Sequence, residues 1–153
     1  FRTSWVYASR GRNFAKTMLQ LAQQQDQLKV IDDQVGAPTG ADLLADVTAH
    51  ALRAAAQNPQ LSGLYHLAAA GETTWHAYAT YVIEQARQAG VAIKVAQSAI
   101  QAVPSSAFPT PAQRPLNSRL NTSKLQHAFG LSLPHWQIGV KRMLTEVLDY
   151  PSI

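Results

Sequence analysis

Short runs of β-branched and aromatic residues alternate along the first half of the chain with stretches whose apolar residues recur at helical spacing. That alternation narrows the fold more than any other feature of the sequence. Residues 1–7, Phe-Arg-Thr-Ser-Trp-Val-Tyr, read as a strand that ends before Gly11. From Asn13, a residue suited to cap a helix, Phe14, Met18, Leu21 and Ala22 follow at helical spacing. Leu28 to Ile31 reads as a second strand with a polar exit at Asp32-Asp33-Gln34, and Gly36-Ala37-Pro38-Thr39-Gly40 reads as a loop. Thr39 or Gly40 then opens a helix with Leu44, Val47, Ala51 and Ala55 along one stripe. It should stop at Asn58-Pro59, because the residue before a proline avoids helical backbone.

Gly63 to Ala68 is a third strand candidate. Thr73 or Thr74 can cap a helix that buries Trp75, Tyr78, Val82 and Ala86 and ends at Gly90. Val91 to Val95 reads as a further strand. Residues 103–118 hold four prolines and read as a loop without regular structure. A short helix from Asn121 or Thr122 runs through Leu125 and Phe129 to Gly130. After Pro134 a last helix carries Trp136, Val140, Met143 and Val147. The expected class is α/β, with a more helical second half, and the 153 residues are expected to form a single unit.

Composition excludes several classes. Apolar residues make up 46% and charged residues 14%, so a core can form and disorder is not indicated. There is no cysteine, hence no disulfide framework and no thiolate metal site, which suits a cytoplasmic location. No apolar run approaches the roughly 20 residues of a membrane span. The formal charge of +4 comes from 13 Lys and Arg against 9 Asp and Glu, spread in short groups. No aromatic platform is interleaved with them, so nucleic acid is not an expected partner. The amino end lacks Met and reads like the middle of a strand, so an upstream segment is expected.

Six stretches taken together resemble the dTDP-4-dehydrorhamnose reductase family, within the extended short-chain dehydrogenase/reductase group. They are Arg2 to Tyr7, Asn13 to Met18, Asp33 to Gly40, Gly63 to Leu67, Arg114 to Leu120 and Trp136 to Leu144, in family order over essentially the whole chain. The resemblance implies the carboxy-terminal part of a Rossmann-like reductase: the last sheet strands plus a helix-rich substrate domain. The glycines never approach a G-x-x-G-x-x-G spacing, so the pyrophosphate-cradling turn is missing. The family's Tyr-x-x-x-Lys dyad is missing too. The residues four after Tyr7, Tyr65, Tyr78 and Tyr81 are Gly11, Ala69, Val82 and Gln85. No catalytic residue is therefore expected here, and the dinucleotide-binding half is expected upstream of Phe1.

The same resemblance suggests site residues. The tryptophan matching Trp5 contacts the sugar nucleotide in the family; an indole offers an apolar plane for a deoxysugar and an N–H for one oxygen. Thr3 and Ser4 are expected beside the nicotinamide, and strand alternation puts Thr3 on the side of Trp5. Arg114, opening an Arg-Pro pair, resembles the arginine that grips the nucleotide diphosphate through its bidentate fork; Arg119 is the second candidate. The glycine-bearing loop at 36–40 suits either an anion at a helix start or a tight strand-to-helix turn. Asp42 and Glu146 are the candidate ligands for a divalent ion such as Mg at a dimer contact. The five histidines show no ligand spacing, and the stripe from Trp75 to Val82 reads as core.

The complete enzyme implied by the family reduces the C4 keto group of dTDP-4-dehydro-L-rhamnose with NADPH or NADH, giving dTDP-L-rhamnose for cell-surface polysaccharide. This chain is then expected to contact the dTDP-sugar, to bind no cofactor alone, to be inactive alone, and to present a homodimer surface. The other reading is a non-catalytic binding or regulatory subunit on the same fold, which an eroded Tyr-x-x-x-Lys upstream would favour.

Overall fold

In a computed structural model the structure describes residues 1–109, 112 and 114–149. Thr110, Pro111 and Gln113 of the proline-rich stretch lie outside the described residues.

The helices fall where their capping residues and apolar spacing put them. Helix α1 spans Phe14–Gln24, and its cap Asn13 accepts the Lys16 N–H at 3.0 Å. Helix α2, Ala41–Gln57, ends at the cap Asn58 immediately before Pro59. Helix α3, Trp75–Gln88, is capped by the Thr74 hydroxyl, which accepts the Ala77 N–H at 3.1 Å. Helix α4, Ser123–Phe129, stops at Gly130, whose φ of 61° is the left-handed conformation a glycine closes a helix with. Helix α5 spans Trp136–Asp149.

Pairing between strands is short. β1 (Val6–Tyr7) runs parallel to β4 (Thr39–Gly40), and β2 (Leu28–Ile31) runs parallel to β6 (Ile100–Val103). β3 (Val35–Gly36) is antiparallel to β5 (Thr73–Thr74). Segment 33–40 therefore carries two of the six strands and joins three parts of the chain.

Three strand expectations change. The run at 1–7 is strand only at Val6–Tyr7, with an isolated bridge from Arg2 to His66, because Trp5 takes a left-handed backbone (φ 50°) that interrupts the extended run. Residues 63–68 accordingly form no strand. They meet the amino end through Arg2 N–H to Tyr65 O and Leu67 N–H to Arg2 O, both 2.9 Å. Residues 91–95 are not a strand either, since the Lys94 and Val95 N–H groups both donate to Ala22 O beyond the α1 core. The partner of β2 is instead β6, whose four residues lack the alternation that would mark a strand in the sequence.

Helix α3 divides the core. Its Tyr78, Val82 and Ala86 pack with Tyr7, Leu19, Trp136, Val140 and Met143, while Ala79 and Ile83 pack with Leu28, Val30, Val95 and Ile100. A third cluster joins α2 to α4 through Val47, Ala51, Leu67, Leu125 and Phe129. No helix among the described residues is long and apolar enough to cross a membrane.

Candidate functional site

The site is built around segment 33–40 and the left-handed residue that precedes β1. A φ of 50° at a non-glycine residue costs about 1–2 kcal/mol and persists only where neighbours enforce it. At Trp5 the neighbours are specific. The Thr39 N–H donates to Trp5 O at 3.1 Å. The Trp75 ring stacks on the Trp5 ring with centroids 3.7 Å apart and planes 16° apart. Such a pair contributes about 0.5–1.5 kcal/mol beyond its buried area, which is the size of the backbone cost. Trp75 is itself fixed: its Nε1–H donates to Gln34 Oε1 at 3.2 Å, and Phe14 packs tilted against it at 4.5 Å. The Trp5 indole stays half-exposed, and its Nε1–H meets no acceptor among the described residues.

Gln34 also opens onto a cavity of about 510 Å³ lined by Ile31, Ser105, Phe108, Arg114 and Leu116. The Asp33 carboxylate ties down its far wall, accepting from both the N–H and the hydroxyl of Ser105 at 2.9 Å. Arg114 is exposed in this wall. A permanent guanidinium charge in a cavity with polar amide and hydroxyl groups can hold a phosphorylated, oxygen-rich ligand.

Tyr7 and Tyr78 hold their phenolic protons more firmly than a free tyrosine does. Burial, and for Tyr7 the nearby Asp42 carboxylate as well, pushes the Tyr7 hydroxyl far above its usual range; burial does the same to Tyr78. A general acid near neutrality needs its pKa lowered, not raised.

The family model of the RmlD substrate binding domain matches residues 1–149. The chain belongs to this family. It is 61% identical over 153 residues to the dTDP-4-dehydrorhamnose reductase of Shigella flexneri, covering 100% of this chain and 50% of that protein. Its fold matches a crystallised dTDP-4-dehydrorhamnose reductase of Clostridium acetobutylicum with a TM-score of 0.79 and 31% identity, covering 97% of this chain and 48% of that one. A dTDP-4-dehydrorhamnose reductase of Bacillus anthracis, crystallised in complex with NADP, matches with a TM-score of 0.77 and 29% identity over 95% of this chain and 46% of that one. The chain spans about half the length of the curated relatives it matches.

Within this RmlD-type domain the residues expected at the site fare differently. Trp5 stacks on Trp75, which is tied to Gln34, and Arg114 lines the same cavity as Gln34. Arg119 is committed: its Nε donates to Asn117 Oδ1 at 3.0 Å and its Nη1 pairs with Glu72 Oε2 at 3.1 Å. The alternation that placed Thr3 beside Trp5 fails at the left-handed turn. Thr3 is exposed, while the Ser4 hydroxyl is buried with no partner in the described structure.

At the start of α2 the Asp42 carboxylate accepts the Leu43 N–H at 2.8 Å. The loop at 36–40 thus leads into a helix whose first turn already carries the Asp42 charge, and Thr39 is buried there with its hydroxyl donating to Ala37 O. Of the two readings of this loop, the geometry fits the tight turn and works against a bound anion. Asp42 and Glu146 do come together, on either side of Arg142, whose Nη1 lies 3.6 Å from the one and whose Nε lies 3.6 Å from the other. No group of three or more potential metal-binding side chains occurs among the described residues.

Sequence reasoning did not connect Gln34, Gly36 or Trp75 with Trp5. Trp75 read as core, and α3 does bury Tyr78 and Val82, but Trp75 at its first position faces Trp5 instead. Nothing in local spacing connects those three residues to Trp5.

Proposed function

We propose that this chain forms the sugar-nucleotide side of a dTDP-4-dehydrorhamnose reductase, the enzyme that reduces the C4 keto group of dTDP-4-dehydro-L-rhamnose with NADPH or NADH to give dTDP-L-rhamnose. The observation that carries this reading is a held, half-exposed Trp5 stacked on Trp75, whose N–H is tied to Gln34, a residue that lines the same cavity as Arg114. In this reading Trp5 meets the sugar nucleotide and Arg114 neutralises the diphosphate, while Arg119 is already paired with Glu72. Thr3 and Ser4 form the rim that would face a nicotinamide. The hydride donor and the proton donor come from outside these residues, because the chain holds no Tyr-x-x-x-Lys and no phosphate-cradling turn. The face carrying Asp42, Arg142 and Glu146 is the dimer surface in this reading. A divalent ion there would have to displace Arg142 and recruit a further ligand from a second chain.

Titration calorimetry of the 153-residue chain with dTDP and with NADPH tests the reading. Binding of dTDP without binding of NADPH is the expected result. Trp5→Ala and Arg114→Ala should each weaken it, the arginine change by about tenfold, as loss of a charge-assisted contact does. No turnover is expected from the chain alone. Binding of NADPH without dTDP would show that the sites have been divided wrongly, and measurable turnover would overturn the proposed lack of a proton donor.

A further inference from the structure

Both faces of the Trp5 indole are covered by the protein. Trp75 lies nearly parallel to one of them. Gly36 lies over the other: a Cβ built there would stand 2.7 Å from Trp5 Cε2 and 3.0 Å from Cδ2 and Cζ2. A point that close to both ring-fusion carbons is above the ring, not at its rim, and the space on the Trp75 side is already filled by the stacked indole. Trp5 is therefore sandwiched between an indole and a glycine backbone. What it still offers to solvent is its edge, where the Nε1–H meets no acceptor among the described residues.

One short segment provides most of this clamp. Gln34 tethers Trp75 through its side-chain oxygen, Gly36 backs the indole, and the Thr39 N–H holds the Trp5 carbonyl. Val35 between them is locked by register to Thr74, the residue that precedes Trp75 and caps its helix. Any side chain at position 36 would enter the space the Trp5 ring occupies, so the glycine is required there by close approach and not by its own backbone angle.

We propose that Gly36, Gln34 and Trp75 are positioning residues that clamp Trp5, so that the indole meets the sugar nucleotide through its N–H edge and not through a stacking face. The inference rests on the reading of Trp5 as a sugar-nucleotide contact. A hydrogen bond is the more direction-sensitive of the two contacts, so the clamp sets which oxygen of the ligand is read. It also gives a reason for the left-handed backbone at Trp5, which aims the ring edge outward at a point where an extended residue would have placed it elsewhere.

Two readouts test this, one of them independent of any ligand. Two indoles stacked in contact with their transition dipoles skewed give an exciton couplet in the far-ultraviolet circular dichroism, which Trp5→Phe and Trp75→Phe should each abolish and thereby assign. Gly36→Ala should abolish the couplet while the helical bands remain. Gln34→Leu should weaken it and Gln34→Glu, which keeps an acceptor for the Trp75 N–H, should restore it. The Gln34 pair decides the matter if Gly36→Ala does not fold. In titrations with dTDP-L-rhamnose, Trp5→Phe should bind about threefold to tenfold more weakly than the unaltered chain, nearly as weakly as Trp5→Ala, because it keeps the ring and lacks the N–H. Gly36→Ala should lose affinity by a similar factor.

Retention of the couplet in both Gly36→Ala and Gln34→Leu would overturn the clamp. Full affinity in Trp5→Phe alongside a loss in Trp5→Ala would overturn the edge contact and point to a stacking face. Absence of dTDP-L-rhamnose binding by the unaltered chain would defeat the functional reading of Trp5, and the clamp would then stand or fall on the couplet alone.

Discussion

Trp136→Ala is expected to cost about 3–5 kcal/mol of folding stability, the range for deleting a buried aromatic side chain. Trp136 is 5% exposed at the first turn of α5 and packs edge-on against two tyrosines, Tyr78 at 5.7 Å and Tyr81 at 5.1 Å between centroids. The backbone N–H of residue 136 donates to Ala70 O at 2.9 Å, a bond that the substitution keeps, so the expected loss is that of the side chain. Removing the indole opens a hole beneath Tyr7, Val140 and Met143 that the neighbouring helices can only partly fill. Since whole domains are stable by roughly 5–15 kcal/mol, a loss of this size would leave little of the fold at body temperature. Ile138→Ala, two residues along the same helix, is the control. Ile138 is 63% exposed and should change stability by less than about 0.5 kcal/mol. Urea unfolding of the three proteins makes the comparison, and equal midpoints for Trp136→Ala and Ile138→Ala would show that α5 does not dock as described.

The second large effect is alkaline unfolding. Tyr78 is 1% exposed with an unpaired hydroxyl, and Tyr7 is 5% exposed beside the Asp42 carboxylate. Burial raises both phenols well above the ordinary value of 10.0. The unfolded chain releases these protons as the pH passes about 10, whereas the folded chain retains them. Each phenol's contribution to stability is thus complete below pH 10 and is lost progressively as the pH rises towards the raised folded value. The expected slope is about 1.4 kcal/mol per pH unit for each group, so roughly 2.7 for the two together. Tyr78→Phe should remove about half of that slope. It should also leave stability at pH 7 unchanged or raised by about 1 kcal/mol, because the hydroxyl it deletes is buried without a partner. Stability measured from pH 8 to pH 12 in both proteins tests the assignment, and an alkaline limb that Tyr78→Phe does not alter would rule it out.

The same residues mark how far local pattern reaches. Trp136, Val140 and Met143 are recognisable as one face of a helix because a stripe at helical spacing needs only neighbours within a few turns. Asn13, Thr74 and Gly130 are recognisable as helix ends because each acts on backbone groups three or four residues away. The family could be read in the same way, from six stretches in order, and so could the lack of a catalytic dyad. Trp5 and Arg114 were singled out as expected ligand residues only through that resemblance.

Local pattern could not extend to partners distant in the chain. Whether residues 91–95 or residues 100–103 pair with β2 is decided by where the chain runs after α3, since Val95 is buried in the core without any strand partner. The alternation expected across residues 1–7 is overridden at Trp5 because Trp75, Gly36 and Thr39 together stabilise a backbone that an isolated tryptophan would avoid. Trp75 likewise looks like core, and α3 alone would make it so; only the path of segment 33–40 brings Gln34 to its N–H and Trp5 to its face. The sequence by itself thus determined the helices, their ends and the family. The tertiary structure alone decided the clamp around Trp5, because contacts between residues far apart in the chain depend on packing that no local period encodes.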